Sequence, residues 1–323
     1  MREAPLFQAG LAIRFPPMSV DEITANSRSV GWELYYTQLR PEPFTATPYV
    51  VHTADMQVGL TDYGGGSMIV GAIPKGCVML CFVADTRTVC NYRNRRLLPY
   101  EVIVATGRDE IDFVYNAPST LVSLTLKETL FLEKYRDHFG REWRSGRETL
   151  CLDASGAEAF VGEVRAWMGR FFEPTALDYE RAEEALIDRF FSLVREKPLR
   201  RSGTLSPQTL RKAREILHEH ADTYYTIAQL AKETGLSQRN LQYLFKKHLG
   251  VSPKHYYLGV KFRRIRDEII RGQHEPLAET ALRHGFYHAG HFSAVYRRFF
   301  GELPSQTIRK KEKAFRIFAS DFA

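Results

Sequence analysis

The chain has 323 residues, 44% of them apolar, and a formal charge of +7. At roughly 100–200 residues per domain this length implies two domains, and the apolar fraction excludes wholesale disorder. Mean hydropathy is −0.31, and no apolar run approaches the ~18 residues that cross a bilayer. The opening MREAPLFQAGLAIRFPP lacks the continuous apolar stretch of a secretory signal. Cys77, Cys81, Cys90 and Cys151 show no CxxC spacing, so neither a zinc site nor a disulfide framework is expected. A cytoplasmic protein without membrane attachment is the reading.

The charge is unevenly spread. Residues 204–323 hold 21 Lys+Arg against 11 Asp+Glu, a balance of +10; the first 203 hold 24 against 27, a balance of −3. Only the last third is therefore suited to meet a polyanion. A solvated basic surface would give the same count, so charge alone does not decide.

In chain order, the first third alternates as strands do. Short β-rich segments at 77–83, 101–105, 111–115 and 120–126 are separated by Gly, Pro, Asn and Asp clusters such as YGGGS at 63–67. That spacing predicts an antiparallel sandwich or barrel. Asp85, Glu101 and Asp112 fall at strand ends, where carboxylates are commonly solvated, and none is assigned catalysis. Between two strands, Tyr92-Arg93-Asn94-Arg95-Arg96 gathers three guanidiniums. Alternation places Arg93 and Arg95 on one face, a pattern suited to a carboxylate or phosphate ligand, including a nucleotide second messenger. The competing reading is a solvated hairpin tip. Apolar residues three or four apart predict helices over 128–139, 157–172 and 177–194. KPLRRSG at 197–203 reads as an interdomain linker, and everything after Ser206 looks helical.

The basic third repeats itself. Ile227, Ala228, Ala231 and Gly235 align with Leu277, Ala278, Ala281 and Gly285 at an offset of 50. Leu241, Leu244, Phe245, Lys246, Lys247, Gly250 and Pro253 then align with Phe292, Val295, Tyr296, Arg297, Arg298, Gly301 and Pro304 at an offset of 51. One supersecondary unit is used twice, over about 226–250 and 276–301. Each unit reads as helix, tight turn, helix. Gly235 ends the first helix in a conformation that tolerates positive φ, and Ser237 caps the second. Leu241, Leu244, Phe245 and His248 form an inward stripe, leaving Gln238, Arg239, Gln242 and Lys246 outward. Two such copies with basic tails are what a DNA-reading helix-turn-helix pair requires; a structural helical hairpin is the bland alternative. Between them, 253–271 reads as one helix with Leu258, Phe262, Ile265 and Ile269 inward. Its nineteen residues span about 28 Å, close to the ~34 Å between successive major-groove faces.

The segment GFYHAGHFSAVYRRFFGELPSQTIR at 285–309, with its echo GLSQRNLQYLFKKHLGVSPKHYY at 235–257, resembles the DNA-binding domain of AraC/XylS-type transcription regulators. The resemblance implies a seven-helix domain with two helix-turn-helices joined by a long helix. Carried over by position it puts Arg239, Gln242 and Tyr243 at base-reading positions in the first unit, with Ser237, Gln238 and Lys246 beside them as further DNA contacts. In the second it assigns His288, His291, Ser293, Arg297 and Arg298. Ala289, Gly290 and Ala294 occupy second-unit reading positions without long polar side chains, a departure that weakens base readout there. Trp32-Glu-Leu-Tyr-Tyr-Thr-Gln-Leu-Arg-Pro-Glu-Pro-Phe44 is similar to the corresponding segment of an effector-domain class that includes ethanolamine-utilisation-type regulators. It implies a cupin-like β-barrel followed by dimerising helices.

The expected architecture is thus α+β: an N-terminal antiparallel cupin-like barrel with helices over 1–200, and an all-α DNA-binding domain over 204–323. Metal-dependent cupins need several histidines, and only His52 and His138 precede residue 204. No metal, no cofactor and no catalytic residue is assigned. The reading is a ligand-responsive activator, a homodimer acting on double-stranded promoter DNA and RNA polymerase. Arg93, Arg95 and Arg96 are the candidates for an anionic effector, and Trp32, Tyr35, Tyr36 and Phe82 for an apolar one. A regulator controlled by a protein partner, with an empty barrel, stays open, as does a cupin enzyme fused to a DNA-binding module.

Overall fold

In this computed structural model the residues described are 7–29, 31–42, 44–84, 88–144, 148–173, 177–198, 207–272 and 276–309. The N-terminal part is built on two antiparallel sheets. One orders its strands as β1 (Ala12–Arg14), β3 (Ala46–His52), β4 (Met56–Tyr63), β11 (Ser119–Lys127), β6 (Cys77–Val83), β9 (Glu101–Thr106), β12 (Glu148–Cys151) and β13 (Arg195–Pro198). The other runs β2 (Glu33–Gln38), β5 (Ser67–Ala72), β10 (Ile111–Tyr115), β7 (Cys90–Tyr92), β8 (Arg95–Arg96).

β6 shows why the sheets face each other. Its seven residues are all buried, so it reads as an unbroken apolar run, but the two-residue period divides it. Cys77, Met79, Cys81 and Val83 join Trp32, Tyr36, Ile69 and Phe113 in the core between the sheets. Val78, Leu80 and Phe82 point the other way, against α2 (Glu128–Phe139), α3 (Ala154–Gly169) and α4 (Tyr179–Leu193). Phe160 of α3 meets both Phe82 and Phe190, and the Trp167 indole donates to the Ala182 carbonyl at 2.8 Å.

The outer face of the five-stranded sheet is covered too. Met68 of β5 and Val114 of β10 pack with Leu210, Leu217, Phe245 and Tyr256 from the C-terminal helices α5 (Pro207–Glu219), α7 (Gln238–Leu249) and α8 (Pro253–Arg271). The layers are helices, sheet, sheet, helices. The second repeat keeps its own core of Phe262, Ile265, Phe292, Tyr296 and Phe299.

The structure corrects four local expectations. Helix α3 begins at Ala154, not 157, because the Asp153 side chain caps it, accepting from the Gly156 N–H at 2.7 Å. Lys197 and Pro198 are the end of β13 paired to β12, so the linker reading fails there; 199–203 lie outside the described residues, as does Asp85. Glu101 and Asp112 are not solvated strand-end groups: Glu101 is buried and accepts from Arg95, Thr149 and the Leu98 N–H, while Asp112 holds Arg214. Finally, α1 (Val20–Ser29) had no clear signal in the sequence.

Candidate nucleic-acid interface

The first helix-turn-helix comprises α6 (Ile227–Thr234) and α7. Thr226 and Gln229 form a reciprocal capping box at the start of α6. Gly235 adopts φ +69°, a left-handed stop that a side chain would strain, and the Leu236 N–H returns to the Ala231 carbonyl at 3.0 Å. Ser237 then caps α7, its hydroxyl accepting from the Asn240 N–H at 3.1 Å. Leu230, Leu241, Leu244 and Phe245 are buried, which fixes the rotation of α7. Ser237, Gln238, Arg239, Gln242, Tyr243 and Lys246 are all exposed in consequence. The Lys247 ammonium stands 5.3 Å from the Tyr243 ring centroid, so that ring is a steadied aromatic on a basic face.

Helix α8 starts on Ser252, whose hydroxyl accepts from the His255 N–H, with Pro253 at the first helical position. It leads to the second unit, α9 (Leu277–Arg283) and α10 (Ala289–Phe300), joined through Gly285 at φ +83°. His288, His291, Arg297 and Arg298 are exposed and Ser293 is half-buried. Ala289, Gly290 and Ala294 are exposed beside them, so this helix presents a low, smooth surface where α7 presents long polar side chains. A further helical stretch covers 304–309, giving seven helices in the C-terminal region among the described residues.

Beneath this surface lie charged groups that sequence reasoning did not single out. Arg214 of α5 is 7% exposed. Its two Nη groups each donate to Asp112 of β10 at 2.6 Å, Nη1 also donates to Asn94 Oδ1 at 2.6 Å, and Nε donates to the Tyr256 hydroxyl at 2.9 Å. Asp21 of α1 accepts from Arg263 at 3.1 Å and Arg266 at 2.5 Å, and Arg266 also reaches Glu302, Tyr296 and Thr307. Among the described residues the N-terminal part thus holds α5, ahead of the first unit, through Asp112, and α8, between the units, through Asp21. A periodicity signal existed. Leu210, Ala213, Arg214 and Leu217 share one helical face, and an arginine among apolar neighbours there demands an acidic partner. Nearby, His218 sits against the Tyr256 hydroxyl at 2.9 Å. Burial, reinforced by Arg214 and Arg264, lowers its imidazole to about 4.

Of the candidate effector residues, Trp32 and Tyr36 line an internal cavity of about 120 Å³ between the sheets, together with Gln57, Tyr63, Ile69 and Phe113. Among the described residues no charged side chain lines it. Phe82 is on the opposite face of β6, among the helices, and Tyr35 lies outside under the Arg28 guanidinium at 4.1 Å. The arginine cluster is a hairpin: Arg93 and Asn94 form its tip at φ +49° and +63°, so Arg93 and Arg95 do not share a strand face. Arg93 pairs with Asp109 at 3.0 Å, Arg95 with Glu101, and Arg96 reaches the Lys247 carbonyl at 3.4 Å. Arg93 borders a crevice between the hairpin and α5 in which Arg211 and Arg214 are balanced by Glu110, Asp112 and Glu215. In the one trio of metal-ligand type among the described residues, Asp222, Glu268 and His284, Asp222 stands 3.9 Å from Arg264 and the other two are engaged internally. His284 faces the Ala221 carbonyl at 3.0 Å and Glu268 at 3.2 Å, and Arg283 pairs with Glu268 at 2.9 Å. Among the described residues no helix is long and apolar enough to cross a membrane.

The family described as "helix-turn-helix domain" matches residues 230–310, which includes the recognition helix of the first unit and all of the second. The XylDLEGF operon transcriptional activator 1 of Pseudomonas putida is 35% identical over 100 residues, 30% of each chain. Residues 230–310 are a helix-turn-helix domain, similar to that of AraC/XylS-type regulators. That similarity rests on the C-terminal part: the chain spans about a third of the length of the first curated relatives it matches. A longer match runs to the HTH-type transcriptional regulator ArgR of Pseudomonas aeruginosa, 27% identical over 188 residues, 56% of this chain and 54% of that one. A solved AraC-type transcriptional regulator from Chromobacterium violaceum aligns with 32% of this chain and 92% of its own, at 27% identity and a TM-score of 0.31. The residues expected to contact DNA are exposed on α7 and, except for the half-buried Ser293, on α10.

Proposed function

We propose that this chain is a sequence-specific transcription regulator that reads two successive major-groove segments, one with α7 and one with α10, under control of its N-terminal part. The observation that carries the reading is the outward face of α7: Arg239, Gln242 and Lys246 stand exposed on a helix whose inner stripe is fully buried, within a unit that recurs once. Arginine and glutamine offer the bidentate forks that distinguish G and A edges in the major groove, and lysine suits phosphate. The division into an effector part over 1–200 and a DNA-binding part over 204–323, activation through RNA polymerase, a homodimer and a cytoplasmic setting belong to the same proposal. So does reading the two facing sheets as a cupin-like barrel.

The effector belongs in the cavity between the sheets. Its volume, about 120 Å³, is near that of the ~150 Å³ apolar cavities that take up a benzene ring. Its lining is apolar and aromatic with neutral polar groups from Gln57, Tyr36 and Tyr63. An anion there would lose hydration without a counter-charge, so the supported class is an uncharged ring-sized molecule carrying a hydrogen-bonding group. Selection of duplexes from a random-sequence library by the full chain tests the DNA reading. Enrichment of an asymmetric site with two preferred blocks about one turn apart supports it; no enrichment over random duplex refutes it.

A further inference from the structure

We propose that Lys261 sets the spacing and angle between the two reading units, its ammonium being shared by a carbonyl of the loop that enters the first and a carbonyl of the turn inside the second; this rests on the two-segment DNA reading above. Lys261 is the ninth residue of α8, which is common to both units, and it is 5% exposed. Its Nζ donates to the Thr223 carbonyl at 2.6 Å and to the His284 carbonyl at 2.7 Å. Thr223 lies in the loop that enters α6, and His284 in the turn between α9 and α10. The group thus ties the start of the first helix-turn-helix to the corner of the second, across the helix that separates them. A charge-assisted bond at each end is shorter and about twice as strong as a neutral one. It constrains both elements to one point.

The surroundings show that this ammonium has no competing task. The Tyr257 ring stands 4.8 Å beneath it, and the Tyr257 hydroxyl donates to the His220 and Thr223 carbonyls, stiffening the same loop. A second tie runs parallel: His284 Nδ1 meets the Ala221 carbonyl, while Nε2 meets Glu268, itself paired with Arg283. Among the described residues, Tyr257, Asp222 and His284 face Lys261; Arg264 pairs with Asp222, Tyr225 packs on Tyr257 and His220, and Glu268 joins His284 and Arg283. Burial lowers the Lys261 ammonium to about 8, with Asp222 opposing that drop. The tie is therefore charged at neutral pH and weakens above it.

The test is a spacing scan on the site selected by the unmutated full chain, with one base pair added or removed between the two blocks. One base pair turns the second block by ~36° and shifts it by ~3.4 Å. The unmutated chain and Lys261→Arg should lose about tenfold or more on either altered duplex. Lys261→Met, which keeps the length and drops the donors, should bind all three spacings within about twofold of one another while keeping its affinity for a duplex bearing the first block alone. Undiminished spacing discrimination in a folded Lys261→Met would overturn the proposal. If the unmutated chain selects no two-block site, the underlying reading fails instead. If Lys261→Met does not fold, the pH series decides: discrimination should shrink several-fold between pH 7 and 9 in the unmutated chain and persist in Lys261→Arg, and a flat profile in the unmutated chain would overturn it.

Discussion

Removing the Asp112 carboxylate should unfasten α5, which packs against the first helix-turn-helix, from the N-terminal sheets. Arg214 and Asp112 are 8% and 17% exposed as side chains and meet through two 2.6 Å bonds, a bidentate pair in a water-poor interface. Asp112→Ala leaves the guanidinium buried with only the Asn94 amide oxygen, the Tyr256 hydroxyl and the Met68 sulfur as partners. Breaking one side of a buried pair costs about 3–5 kcal/mol because the remaining charge stays desolvated. Asp112 keeps some access to water, so the lower end, about 3 kcal/mol, is expected. Replacing both partners by apolar groups, as in Asp112→Leu with Arg214→Met, should recover most of that loss, since no unpaired charge remains. Urea unfolding of the unmutated chain, Asp112→Leu, Arg214→Met and their double variant gives the coupling directly. A loss below about 0.5 kcal/mol for Asp112→Ala would mean that Arg214 is hydrated in solution and that the α5 contact with β10 is not formed.

Three other outcomes follow. Arg239→Ala and Gln242→Ala should each cost ~1–3 kcal/mol on a selected site and little on random duplex, whereas Lys246→Ala or Arg297→Ala should weaken both and lower the salt slope by about one; equal losses on both duplexes for Arg239→Ala would remove its base-reading role. Because burial holds the His218 imidazole near 4 in the folded chain and about 6.5 unfolded, the unfolded chain alone binds that proton between those values. Stability should therefore fall as pH drops from 6.5 towards 4, by up to about 3 kcal/mol, and His218→Gln should flatten that part of the urea-derived pH profile. Benzamide should raise the melting temperature and isosteric benzoate should not, since about 2.7 kcal/mol accrues at 100 times Kd only for a ligand the neutral cavity accepts; the reverse order would return Arg93, Arg95 and Arg96 to consideration.

What the sequence displayed was mostly local. Period-two and period-3.6 patterns with their stops located Cys77–Val83, Ile111–Tyr115 and the helix Glu128–Phe139 at their observed bounds, because burial of one face imposes those periods. The repeat likewise placed Gly235 and Gly285 in their turns and put Arg239 and Gln242 outward. Contacts across the chain were not displayed. Nothing near Asp112 in sequence announces Arg214, 102 residues away, and the alternation of β6 does not say which of its faces meets the second sheet. From sequence Phe82 therefore reads as a companion of Trp32 and Tyr36, whereas its parity in β6 puts it among the helices. The inward Lys261, Arg214 and Arg266 interrupt apolar stripes, and such interruptions mark buried polar junctions that periodicity detects without naming the partner.

Saturation mutagenesis of a selected duplex, read by full-chain binding at fixed salt, tests the two-unit reading most directly. It should show two intolerant blocks about one helical turn apart. The block under α7 should lose ~1–3 kcal/mol per wrong base pair, and the block under α10, facing Ala289, Gly290 and Ala294, should be more tolerant and governed by shape and phosphate contacts. A single intolerant block, or a palindromic pair read with equal stringency, would contradict the account.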